Sequence, residues 1–73
     1  MTEQNYNVLK DHKHIHETFI NNKTVNTAHP GAQAISGVYS SIFGTQLNMS
    51  CGECFIDGLL TIYKLFNEEK QWQ

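Results

Sequence analysis

The stretch from Cys51 to Phe66 constrains this chain more than any other. On a helix at about 100° per residue, Cys51, Cys54, Phe55, Gly58, Leu59, Ile62, Leu65 and Phe66 form one broad apolar arc. Ile56, Leu60 and Tyr63 carry that arc well past half of the circumference. A helix apolar over so much of its surface lies at the centre of its own fold or against another chain. The whole sequence has 73 residues, and a chain of that size buries only about 60% of the surface its unfolded form exposes. A single domain over 1–73 is therefore expected, one that needs a staple, a metal or a partner to supplement its small core.

Two further segments have helical periodicity. Over 5–20, Val8, Leu9, Ile15, Phe19 and Ile20 fall within one arc, while Lys10, Asp11, Lys13, His14, Glu17 and Thr18 lie outside its centre. The Asn- and Thr-rich run 21–29 reads as a connection, because those side chains compete with helical hydrogen bonding. Pro30 suits the first position of a second helix, where a missing N–H costs nothing. Over 30–43, Ala32, Ile35, Val38, Tyr39, Ile42 and Phe43 line one face, and Gly44 supplies the stop. Ser50 with Glu53 three residues later makes a capping box, which predicts a third helix over 51–69 with Trp72 in a frayed end. The expected fold is all-α: a small three-helix domain with the third helix central.

Charge and composition exclude several function classes. Five Lys against seven Asp and Glu leave a formal charge of −2. The lysines are scattered and arginine is absent, so there is no basic stripe to neutralise phosphates and no bidentate reader of guanine. Nucleic-acid binding is not expected. The polar start Met1-Thr2-Glu3-Gln4-Asn5 lacks the basic and apolar regions of a signal peptide. The run 55–66 is too short, and with Asp57 and Lys64 too charged, to cross a bilayer. No membrane association is expected, and the cytoplasm of the producing cell is the expected location.

One constellation carries chemistry. Cys51-Gly52-Glu53-Cys54 places two sulfurs on nearly the same side of a helix start, where the N-terminus favours thiolate over thiol. His12 and His16, four apart near the middle of the first apolar arc, would project inward one turn apart. Together the four offer the N and S ligands of a tetrahedral zinc site. Structural zinc would supply about 10–16 kcal/mol of apparent binding energy to a small domain. The same residues also read as two small buried cysteines and two neutral core histidines bonded to backbone or water. A redox couple or a simple disulfide are further readings of the Cys pair. His14 and His29 rank below His12 and His16 as ligands. No paired carboxylates, nucleophile elbow or other catalytic grouping is found, and Tyr39, Phe43, Phe55, Tyr63 and Phe66 at helical spacing read as core.

Ala34-Ile35, Val38-Tyr39, Gly44, Leu47-Asn48, Cys51-Gly52-Glu53-Cys54, Asp57-Gly58-Leu59 and Ile62 form a pattern that resembles small C-x-x-C proteins of tailed bacteriophages. The resemblance covers 34–66 and leaves out the His-bearing first helix. It implies no catalytic residues. It does imply a context, that of a phage accessory or virion-associated protein binding a larger component.

The functional expectation is a non-enzymatic helical interaction protein, docking on a larger protein or on its own copies through Ile56, Leu60 and Tyr63. Two alternatives stand beside it. One is a zinc-stabilised regulatory module held by Cys51, Cys54, His12 and His16. The other is a dithiol redox protein working through Cys51 and Cys54.

Overall fold

A computed structural model describes residues 1–69 of the chain. It holds four α-helices, α1 (Glu3–Asp11), α2 (Lys13–Asn22), α3 (Pro30–Phe43) and α4 (Gly52–Glu68), and no strand among the described residues. The all-α expectation holds, whereas the three-helix count does not. Trp72 lies outside the described residues.

The extra helix comes from a break at His12, which has φ −111° and ψ 18°. Tyr6 and Ile15 are both buried. At about 100° per residue, nine positions would set them on opposite sides of a straight helix. Turning the chain between them lets both reach one core. His12 itself helps the turn, because its ring Nδ1–H donates to the Val8 carbonyl at 2.8 Å. Its backbone N–H is shared between the Val8 and Leu9 carbonyls at 3.2 and 3.3 Å. Helix α2 then ends at Lys23 in the left-handed region (φ 59°), whose N–H closes on the Phe19 carbonyl at 2.7 Å.

Helix α3 has the bounds expected from Pro30 and Gly44. Gly44 adopts φ 72° and donates its N–H to the Ser40 carbonyl at 2.9 Å, a conformation that costs glycine least. Helix α4 starts one residue later than the predicted 51 and ends one residue before 69. The capping box at Ser50 does not form. Asn48 captures that segment instead: its Oδ1 accepts from the Ser50 N–H at 3.0 Å, and its carbonyl accepts from the Cys51 N–H at 3.1 Å. Such an Asx turn hands the cap position to Cys51.

Helix α4 is the centre of the molecule, in contact with α1, α2 and α3. It contributes Phe55, Leu59, Ile62, Tyr63 and Phe66 to the core. Tyr6 and Leu9 of α1, Ile15 of α2, and Ala32, Ile35 and Val38 of α3 complete it. Its excess apolar width is covered largely from within, because two short helices splay over it where one straight helix was expected. Tyr63 shows the consequence. Expected at a partner contact, it is 1% exposed, ringed by Phe66 at 5.6 Å and His16 at 4.7 Å. Its hydroxyl donates to the Leu9 carbonyl at 2.6 Å. A contact role for Tyr63 is thereby corrected to a core role.

Candidate functional site

The C-x-x-C pair lies at the N-terminus of α4. Cys51 is the N-cap residue, with an extended backbone (φ −115°, ψ 108°), and Cys54 sits in the first turn. That turn brings the two Cα atoms to 5.2 Å, and the sulfurs are joined as a disulfide. Cys51 Sγ also accepts the Cys54 N–H at 3.2 Å, doing the work a Ser or Asp does at an ordinary cap. Cys54 is exposed and Cys51 half-buried, so both sulfurs lie at the surface of the fold rather than in its core. The reading of two buried apolar cysteines is corrected accordingly.

The partial positive charge of a helix N-terminus acts directly on this pair. It favours negative charge on sulfur, and thiolate rather than thiol is the nucleophile in disulfide exchange. Glu53, exposed in the same turn, is the ionisable side chain between them in sequence. Gly52 has nothing within 4 Å of a Cβ position, so the start of α4 is open on that side.

The histidines expected to join the cysteines are elsewhere. The His16 ring stacks on Tyr63 at 4.7 Å with planes 11° apart. Tyr63 lies nine residues beyond Cys54 on α4, about 14 Å along the axis at 1.5 Å per residue. Zinc bonds of about 2.0–2.3 Å cannot span that separation. The break at His12 also undoes the i, i+4 relation, because His12 terminates one helix and His16 belongs to the next. Among the described residues no group of three or more His, Cys, Asp and Glu could hold a metal ion. The four-ligand site Cys51, Cys54, His12 and His16 is therefore not assembled.

His16 has a structural place instead. Partial burial against Tyr63 lowers its pKa from the ordinary 6.5, with Glu17 opposing that shift and Lys13 adding to it. Burial likewise pushes the Tyr63 phenol up, with Glu17 contributing in the same direction.

His29, ranked low from the sequence, has a definite role. Its Nδ1 accepts the Gly31 N–H at 2.9 Å and so caps α3. The signal for it was Pro30: a proline at the first helical position makes the preceding residue the cap. The His29 ring meets His14 edge-on at 6.1 Å, and His14 lies 6.3 Å from His12. A hollow of about 230 Å³ beside His29 is lined by Ile15, Thr18, Thr24, Val25 and Asn26. It is smaller than the roughly 300–1,000 Å³ of ordinary ligand pockets.

Of the expected docking residues, Leu60 is 39% exposed and Ile56, one turn earlier, is half-buried. No helix among the described residues is long and apolar enough to cross a membrane. No known family, curated protein or solved structure matches this chain.

Proposed function

We propose that this protein is a thiol–disulfide exchange module whose working group is the Cys51–Cys54 couple. The observation that carries the reading is the bonded pair across the first turn of α4, at the surface, with Cys51 as the helix cap. Such a bond closes a very short loop inside one helix. By chain entropy it contributes only about 2 kcal/mol, and it ties together no separate elements. A structural staple would join distant segments. Redox chemistry needs an accessible pair near positive potential, which is the arrangement here.

The exchange balances without a metal or cofactor. In the reduced state one Cys thiolate attacks a disulfide-bearing substrate, forming a mixed disulfide and expelling one substrate thiolate, which takes up a proton. The second Cys thiolate attacks the sulfur of the first, re-forming Cys51–Cys54 and expelling the other substrate thiolate. Two electrons pass from the pair to the substrate. A dithiol reductant returns them by the same steps in reverse.

Stopped single-turnover reaction of the reduced chain with a protein disulfide such as insulin tests this. The wild type is expected to form a mixed disulfide that resolves; of Cys51→Ser and Cys54→Ser, the one lacking the resolving thiol is expected to trap it and the one lacking the attacking thiol to form none. If the reduced chain exchanges no faster than an unfolded peptide carrying the same four residues, the reading fails.

A second reading is favoured by one observation. The exposed Leu60, with Ile56 half-buried beside it on α4, supports a narrow apolar contact strip for another protein or a second copy. Sedimentation tests self-association: Leu60→Asp is expected to shift a concentration-dependent dimer to monomer. A wild type that is monomeric throughout removes the second-copy form of that reading.

A further inference from the structure

We propose that His29 is a pH-sensitive latch on the N-terminal cap of α3, closed while its ring is neutral and released on acidification, with His14 and His12 beside it. The latch is independent of the cysteine pair.

Its geometry fixes which proton matters. The Gly31 N–H donates to His29 Nδ1, so that nitrogen must be unprotonated and the ring's proton must sit on Nε2. A proton on Nδ1 converts the acceptor into a donor facing another donor, and the cap is lost. His12 is wired the opposite way. Its Nδ1–H donates to the Val8 carbonyl, leaving Nε2 bare, so it can gain a proton without losing that bond.

Position decides the sign of the response. His29 is the N-cap of α3, His14 lies in the first turn of α2, and His12 caps the start of α2. Positive charge is unfavourable at the N-terminal end of a helix, which sets the sign for His29 and His14; His12 also ends α1, where positive charge is favoured, and adds no net sign. The three rings follow one another at 6.3 and 6.1 Å between centres, so protonating more than one adds mutual repulsion. The start of α3 is closely packed. A Cβ on Gly31 would overlap Ile15 and come within 2.7 Å of His12 Cδ2, which puts the start of α3 directly against the elbow.

Charged groups stand on the elements around the latch. Helix α1 brings Lys10 and Asp11, α2 brings Lys13, His16 and Glu17, and the linker brings Lys23. Helix α3 has no charged side chain, and its one other titratable group is Tyr39. Helix α4 brings Glu53, Asp57, Lys64 and Glu68, all of them exposed, together with buried Tyr63. No carboxylate forms an ion pair with a histidine among the described residues.

The Gly31 amide reports the latch directly. Its hydrogen-exchange protection, corrected for intrinsic rate, is to be followed in the full chain between about pH 8 and pH 5.5, the range in which histidine switches charge. The wild type is expected to lose about fivefold in protection at Gly31 at the acid end, the size of one lost cap. His29→Asn, which keeps a cap acceptor but does not titrate, is expected to hold its protection throughout. His29→Ala is expected to show the acid value already at neutral pH. Equal pH dependence in wild type and His29→Asn would overturn the proposal, as would a flat wild-type profile. Should His29→Asn fail to fold, the ¹⁵N shift of His29 Nδ1 in the wild type decides. It must move together with Gly31 protection, and independent movement rejects the latch.

Discussion

The Tyr63 hydroxyl donates a 2.6 Å hydrogen bond to the Leu9 carbonyl across 54 positions of sequence. That carbonyl stands at the end of α1, where the break at His12 interrupts the helical ladder. A helix end inside the fold leaves acceptors that need partners, and the phenol of α4 supplies one. The break and the burial of Tyr63 are therefore one feature. The elbow that splits the first helix is satisfied by the residue that would otherwise have widened the apolar face of α4.

Tyr63→Phe keeps the ring packed against Phe66 and His16 and removes only the hydroxyl. It removes one of two donors to the Leu9 carbonyl, the other being the His12 N–H at 3.3 Å, so unfolding free energy is expected to fall by about 0.5–1.5 kcal/mol. Chemical denaturation of both chains measures the difference. A change near zero would mean that water takes over the Leu9 carbonyl.

Stability is expected to depend on pH in two windows. His16 has a lowered pKa in the folded chain, so the unfolded state binds its proton first. Its contribution is complete above the unfolded value of 6.5 and is lost as pH falls below it. Tyr63 has a raised pKa, so its contribution is complete below the ordinary 10.0 and is lost as pH rises beyond it. Denaturation midpoints across the range are expected to be highest between these limits. His16→Gln should flatten part of the acid limb, and Tyr63→Phe the alkaline one.

Two glycines of α3 are expected to respond in opposite directions to alanine. Nothing lies within 4 Å of a Cβ on Gly37, so Gly37→Ala should stabilise the helix by up to about 1 kcal/mol. Gly31→Ala would drive a methyl into Ile15 and His12, an overpacking that typically costs about 1–3 kcal/mol. Thermal unfolding of the two variants gives the comparison. Equal signs would contradict the close approach of α3 to the elbow.

Much of this fold was legible in the sequence, for local reasons. Pro30 and Gly44 bound α3 because each acts on its own backbone. The apolar arc of α4 marked the central helix because its width exceeds what one neighbour covers. The break at His12 was not legible: helical periodicity runs through it, and only the burial of both Tyr6 and Ile15 demands a turn. The break sets His12 and His16 in different helices and so takes the zinc ligand set apart. It also buries Tyr63, which one straight helix could not have covered. At the cysteines, spacing alone brought the two sulfurs together. A Ser50 capping box looks complete in isolation, but Asn48 takes the preceding turn and passes the cap to Cys51.

The most direct test of the account is the redox equilibrium of Cys51 and Cys54 in the folded chain. The protein is equilibrated with glutathione buffers of graded ratio, the free thiols are alkylated, and the products are weighed while helicity is followed in parallel. A reversible two-electron transition between dithiol and disulfide is expected, with α-helical content unchanged at both ends. A pair that stays reduced at every ratio, or that exchanges only when the helices unfold, would contradict it.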